Sequence, residues 1–300
     1  MTDFIDLNFR GSPRVIATAV LSGANGVTVI DPGPTSCLTT LDAGLRERGM
    51  SLRDVRNVLL THIHLDHAGA CGTIAERVPN ARVFVHERGA PHMIDPAKLL
   101  ASATRLYGDH MDMLWGAFQP VPADRVTVLT GGERLELGGH VLQVAYTPGH
   151  AKHHVSYLDE HSGTAYVGDT AGVQVAGTYL IAPTPPPDID IEAWQQSLNT
   201  IDAWNPVSLF LTHFGPISGA RAHVARFRTV VATAAERSRE LLKDGGSDEE
   251  LAKRFADQMR KDVRRELPEH EARAAELAAP FDQLWGGLSR YWTKKVTRSQ

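Results

Sequence analysis

The sequence predicts an α/β fold that gives way to helices alone near its C-terminus. Two observations carry this. Short runs rich in Val and Ile alternate with helical segments up to about residue 219, and residues 221–300, rich in Ala, Arg, Glu and Leu, contain no strand-like run. A third observation concerns placement: histidine and aspartate recur where the strand-like runs end.

Residues 14–31 read as a β-hairpin, because two Val- and Ile-rich runs flank Ser22-Gly23-Ala24-Asn25-Gly26. Asp31-Pro32-Gly33-Pro34 forces a sharp exit from it. Residues 38–49 fit a helix closed by Gly49. A short buried strand follows at Asn57–His62, a helix at Ala68–Val78 and another strand at Ala81–His86.

Residues 91–125 interrupt the alternation with one or two helices, read either as an extra packing layer or as a lid over a site. Strands resume at 126–129, 134–137 and 140–146, and residues 153–169 form a second hairpin pattern around a turn at 159–163. Pro183-Thr184-Pro185-Pro186-Pro187 is a rigid extended connector. It leads into a helix with Ile191, Trp194, Leu198 and Ile201 on one face, and then into a last short strand, Ser208–Leu211. Beyond Gly219 several helices are expected, broken near Gly245-Gly246-Ser247 and at Pro268. The division is therefore an α/β domain over 1–220, carrying the insertion at 91–125, and a helical extension over 221–300. Val224, Phe227 and Val231 form an apolar helical face, suited to packing on the core or on a second subunit in a homodimer.

Composition narrows the function. With 42% hydrophobic and 22% charged residues and a net charge of -4, the chain lacks the basic field expected of a nucleic-acid partner. Two cysteines, Cys37 and Cys71, make neither a disulfide framework nor a cysteine-based zinc site. No signal-peptide pattern opens the chain and no apolar run approaches the roughly 18 residues of a membrane span. A cytoplasmic protein with no membrane association is expected.

The chemistry concentrates in Thr61-His62-Ile63-His64-Leu65-Asp66-His67-Ala68-Gly69. His62, His64, Asp66 and His67 offer nitrogen and oxygen donors suited to zinc, manganese, iron or cobalt. His62 and His64, two apart in extended backbone, share a side and can grip one ion; Asp66 and His67, after the chain turns, can address a second. Further ligands are expected from His150 in TPGH, Asp169 in VGD and His213 in LTHFG, each leaving a strand beside glycine. Asp31 is expected to fix its turn or a ligand histidine. Of His153 and His154, one can face the metals and bind substrate, since alternation opposes both doing so. Tyr107, Trp115 and Phe118 suit either a pocket wall or core packing.

H-x-H-x-D-H followed by TPGH, GD and a final TH resembles the metallo-β-lactamase-fold superfamily over about residues 14–215. The resemblance implies an αββα sandwich with two divalent ions, zinc foremost, at one edge between two sheets. It implies that His62, His64 and His150 hold the first ion, that Asp66, His67 and His213 hold the second, and that Asp169 bridges them. A bridging hydroxide would attack an ester-like bond of a small molecule (lactone, carboxylic ester or phosphate ester), with Asp66 and Asp169 as the catalytic carboxylates. TPGHAKHHVSY, GDTAG, TPPP and THFG resemble bacterial and archaeal members with lactonase or phosphotriesterase activity. Alternatives are a thioester hydrolase resembling glyoxalase II, a mononuclear iron enzyme resembling sulfur dioxygenases, and a non-catalytic binding protein on the same fold.

Overall fold

The computed structural model describes residues 2–298. Two six-stranded sheets follow one another along the chain. The first runs β1 (Asp3–Asp6), β2 (Ala17–Gly23), β3 (Gly26–Ile30), β4 (Val55–Leu59), β5 (Arg82–His86) and β6 (Val126–Leu129). Within it β1, β2 and β3 pair antiparallel, and β3 to β6 pair parallel. The second holds β7 (Arg134–Leu137), β8 (His140–Tyr146), β9 (Val155–Asp159), β10 (Thr164–Tyr166), β11 (Ser208–Leu211) and β12 (Gly215–Ser218), antiparallel except for the parallel pair β10–β11.

Alternation explains why the sheets face each other. Ala17, Ala19 and Leu21 of β2 point to one side with Ile30, Leu59, Phe84 and Leu129 of its neighbours. They meet Leu142, Val144, Val155, Tyr157, Tyr166 and Phe210 of the second sheet, so the inter-sheet core draws on both. The outer faces are covered by helices, which completes the αββα sandwich.

The helices in the first half are α1 (Leu38–Arg46), α2 (Leu65–Ala68), α3 (Cys71–Arg77), α4 (Ala90–Ile94), α5 (Ala97–Tyr107) and α6 (Met111–Trp115). The last three make up the insertion between β5 and β6. In the second half come α7 (Ile191–Trp204), α8 (Ala220–Lys243), α9 (Asp248–Glu266), α10 (Glu269–Ala278) and α11 (Phe281–Arg298). Helix α7 buries Trp194, Leu198 and Ile201, with Asp190 as N-cap accepting from the Ala193 N–H at 3.0 Å. Val224, Phe227 and Val231 of α8 are fully buried within the chain, and Phe227 packs on Trp194 with ring centroids 5.7 Å apart. A capping box at Ser247 and Glu250 starts α9 where the glycine pair stops α8. Among the described residues no helix is long and apolar enough to cross a membrane.

Several expectations needed correction. Strand β4 ends at Leu59, so His62, expected as the strand's last residue, lies in the loop that follows it. The helix expected at 68–78 is α3, which begins only at Cys71, and a separate short helix, α2, precedes it across a break at Gly69-Ala70. There a Cβ on Gly69 would stand 2.5 Å from the Leu65 carbonyl oxygen and 2.9 Å from the Pro34 Cα, so two backbone segments cross where only glycine fits. β11 is not the last strand, because β12 folds back on it through Gly215.

Candidate metal centre

The strand directions decide where ligands gather. β3 and β4 run parallel, as do β10 and β11, and β8 runs with β10 because β9 opposes both. Their C-terminal ends therefore open on one edge of the sandwich. Asp31 follows β3, the His62–His67 segment follows β4, His150 follows β8, Asp169 follows β10 and His213 follows β11. The seven residues expected as ligands converge there. His62, His64 and His150 form one group, Asp66, His67 and His213 a second, and His62, His67 and Asp169 a third, with donor atoms in each group within 4.8 Å of one another.

The spacings are those of donors around a cation. His62 Nε2 and His150 Nε2 lie 2.9 and 3.0 Å from His64 Nδ1. Asp169 turns Oδ2 toward His150 Nε2 at 3.4 Å, and Oδ1 toward His67 Nε2 at 3.4 Å and His213 Nε2 at 3.6 Å. Asp66 Oδ2 is 3.3 Å from His213 Nε2. Donors each about 2.1 Å from one tetrahedral ion sit about 3.4 Å apart.

Outer hydrogen bonds fix how the rings present themselves. Each of three histidines donates Nδ1–H outward and turns Nε2 inward: His67 to Asp31 Oδ2 at 2.8 Å, His150 to the Pro183 carbonyl at 2.8 Å, and His213 to the Val15 carbonyl at 2.6 Å. His62 Nδ1 lies 3.1 Å from Thr61 Oγ1, which donates to Asp31 Oδ2 at 2.7 Å. Asp31 also accepts from the Thr61 N–H at 2.8 Å and from Thr212 Oγ1 at 2.7 Å. It is therefore the hub that orients His67 directly and His62 through Thr61.

A cation fits this centre. Of the five buried side-chain polar atoms without a hydrogen-bond partner among the described residues, three meet here: His67 Nε2, His213 Nε2 and Asp169 Oδ1. Among the described residues the ion pairs of Asp31, Asp66 and Asp169 are all with histidine, none with lysine or arginine, so a full balancing charge must come from elsewhere. Burial drives His62 well below the ordinary imidazole value, with His67 adding to the effect, and takes His64 down to about 3. Burial would raise Asp66, yet His67 and His213 outweigh it and hold Asp66 at about 2. Burial works against charge on His67 too, but Asp66, Asp31 and Asp169 overcome it and raise that ring well above its usual value. Ionised carboxylates drawing positive charge to one buried point make the environment a metal ion satisfies.

The two neighbouring histidines divide. His153 lines the cavity in front of the centre, where its Nδ1 accepts from the Ile63 N–H at 3.4 Å. His154 is fully buried and faces away from that cavity; its Nε2 accepts from the Asp169 N–H at 3.3 Å and its Nδ1 lies 3.0 Å from Thr147 Oγ1. Its place is behind Asp169, away from the cavity lining. Tyr107 joins the cavity wall, whereas Trp115 is buried and stacks on Phe9. Sequence reasoning missed Thr61, Thr212 and Trp194; the indole of Trp194 packs edge-on to His150 at 5.7 Å and donates to the Thr170 carbonyl at 2.8 Å. No local motif signals these, because each acts through a contact distant in sequence.

Gly149 shows how tight this support is. At φ 135° its Cβ would stand 2.3 Å from the Trp194 Cα, within the backbone of α7. Gly149→Ala is expected to cost about 2–4 kcal/mol and to displace His150, because a positive φ and a clash with main chain act together. Thermal unfolding and bound metal measured on the purified variant check this; unchanged values for both would refute it.

Comparison with known proteins agrees with this geometry. Residues 11–213 match the metallo-beta-lactamase superfamily. Over 209 residues, 69% of this chain and 75% of the other, the sequence is 28% identical to the metallo-beta-lactamase fold-containing protein of Sulfurisphaera tokodaii. The crystal structure of an archaeal superfamily protein from Sulfolobus tokodaii superposes with a TM-score of 0.67 at 21% identity, covering 96% of this chain and 97% of that one. A metallo-beta-lactamase family protein of Thermus thermophilus superposes with a TM-score of 0.62 at 26% identity, covering 89% of this chain and 87% of that one. A hydroxyacylglutathione hydrolase of Synechococcus is 30% identical over 126 residues, 42% of this chain and 37% of that protein. With more than half its length matching, and histidine and aspartate gathered at one edge of an αββα sandwich, this chain belongs to the metallo-beta-lactamase superfamily.

Proposed function

We infer that the protein is a metal-dependent hydrolase that cleaves an ester-like bond in a small molecule. His62, His64 and His150 would hold one divalent ion and Asp66, His67 and His213 a second, with Asp169 shared. The observation that carries this reading is the meeting of three buried, unpartnered donor atoms, His67 Nε2, His213 Nε2 and Asp169 Oδ1, between two groups of ligand-type side chains. Two ions held there would polarise the scissile oxygen and bring the attacking water near neutral pKa.

The chain's own groups do the rest. Asp66 opens on the cavity with its side chain 23% exposed, whereas Asp169 is 6% exposed. Being ionised and within reach of the cavity, Asp66 can orient the attacking water and carry a proton to the leaving group. His153 accepts at Nδ1, so its proton sits on Nε2, from which it can donate to a substrate oxygen. No serine or cysteine nucleophile is required, and the two cysteines are buried. The likeness to hydroxyacylglutathione hydrolases favours a thioester as a second substrate reading.

The test is a hydrolysis panel on enzyme reconstituted separately with zinc, manganese, iron and cobalt. It includes a lactone, an aryl ester, a glutathione thioester, a phosphodiester, a phosphotriester and a β-lactam. Asp66→Ala should lower turnover about 10²–10⁴-fold while retaining the ion at His62, His64 and His150, as measured by elemental analysis. Full activity in Asp66→Ala would sink the role given to this carboxylate, and absence of bound metal in the native protein would sink the whole reading.

A further inference from the structure

In front of the metal centre lies a cavity of about 280 Å³ whose walls come from parts of the chain that supply no ligand. Leu99, Ala103 and Leu106 of α5 form one side. Pro186 of the proline-rich connector forms another, and Ala279 and Leu284, where α10 passes into α11, form a third. At the inner end stand His64, Asp66, His150 and Asp169. The insertion and the C-terminal extension therefore enclose the approach to the reacting atoms between them.

The C-terminal wall is built in, not laid on. Thr184 Oγ1 donates to the Leu284 carbonyl at 2.9 Å, and a Cβ on Gly287 would stand 2.2 Å from the Thr184 carbonyl oxygen. Helix α11 thus meets the connector backbone to backbone. Tyr107, at the end of α5, and Gln283, near the start of α11, both line the cavity beside Asp66, so the two walls face the centre together.

Resting on the hydrolase reading, we propose that the substrate carries an uncharged, apolar arm of about six to eight carbons, seated between α5, the connector and the α10–α11 junction. At about 30 Å³ per water-sized group, the cavity takes roughly nine such groups, the reacting carboxyl included. The wall chemistry selects for an apolar arm. Aliphatic and proline side chains dominate it, Lys98 is exposed at the rim, and Asp188 is paired with Lys152 at 3.0 Å. An ionised arm laid against these aliphatic and proline side chains would have to shed water for little return.

The experiment uses the full metal-loaded protein with p-nitrophenyl acetate, butyrate, hexanoate and octanoate, and with the monosuccinate as a charged arm. Calorimetric binding of N-butyl octanamide, N-butyl acetamide and N-butyl succinamate runs beside it. Each buried methylene is worth up to about fourfold, so kcat/KM should rise about a hundredfold or more from acetate to octanoate, and only the octanamide should bind measurably. Ser102→Trp, at a half-buried α5 position facing the cavity, should compress the octanoate-to-acetate ratio below about tenfold and abolish octanamide binding. Leu106→Asp, at a position 40% exposed, is the second variant should the first fail to fold, and the same compression is expected from it. Octanamide binding without hydrolysis of these esters or of any member of the substrate panel would uphold the cavity proposal and overturn the hydrolase reading. Ester hydrolysis independent of chain length, or preference for the succinate arm, would overturn the cavity proposal and leave the hydrolase reading standing.

Discussion

Asp169→Ala is expected to lower turnover more than a thousandfold and to leave at most one ion per chain where the proposed centre would hold two. Each oxygen of this carboxylate faces a different ligand group: Oδ2 looks to His150, and Oδ1 to His67 and His213. Removing it takes a donor from both sites at once and strips the centre of a charge that opposes two cations. Asp169→Asn separates these effects, because it keeps the shape but offers one neutral oxygen. If charge dominates, the asparagine variant should fail almost as badly as alanine. Added metal should also raise the melting temperature of the native protein, by an amount equivalent to about 2.7 kcal/mol at a hundredfold excess over Kd, and raise that of Asp169→Ala by much less. Two tightly held ions in Asp169→Ala, or a native-like thermal response to metal, would contradict the shared-ligand assignment.

Asp31→Ala is the second large effect, and it falls on stability as much as on chemistry. Asp31 is fully buried and accepts from the Thr61 N–H and hydroxyl, from the Thr212 hydroxyl and from His67 Nδ1. Alanine leaves all of these donors without an acceptor in a place water cannot reach. Breaking one side of such a buried network costs about 3–5 kcal/mol, a fall of roughly 5–8 °C in melting temperature for a protein of this size. Affinity for the ion at His67 should fall about 10–100-fold, since nothing then holds the ring or its tautomer. Asp31→Asn should recover part of the stability and less of the affinity. A native melting temperature in Asp31→Ala would show that the hydrogen bonds at this hub are replaceable.

The α/β alternation was readable because it rests on local patterns; the αββα sandwich followed from the resemblance, and the residues expected as ligands do come together at one edge. Val- and Ile-rich runs around turn residues mark the strands, and a histidine or aspartate beside glycine at a strand end marks a loop on a rigid edge. What lay outside such patterns was not readable. β12 is four residues long, begins Gly215-Pro216 and lies at a sheet edge, where proline is tolerated and no alternation is enforced. β1 is equally short and sits at the other sheet's edge. The break between α2 and α3 is set by the approach of Pro34, some 35 positions earlier in the chain, and helical periodicity cannot see it. The likeness of His153 and His154 in sequence hides opposite fates, because alternation says that they diverge but not which one faces the cavity. The C-terminal extension showed its helices through composition and its breaks through Gly245-Gly246 and Pro268. That residues 278–284 would wall the cavity depends on how α11 meets the proline-rich connector, which no spacing encodes.

Each sheet is assembled from consecutive strands, the first complete by Leu129 and the second beginning at Arg134. On the proposed ligand set, His62, His64, Asp66 and His67 belong to the first half, and His150, Asp169 and His213 to the second. During synthesis the N-terminal half leaves the ribosome carrying four donors but neither site complete. On that assignment, full coordination would wait for the second sheet to dock. Ions held there would tie the two halves together in addition to the core they share, so after a nick in the short 130–133 crossover the paired fragments should unfold at a higher temperature with metal than with a chelator.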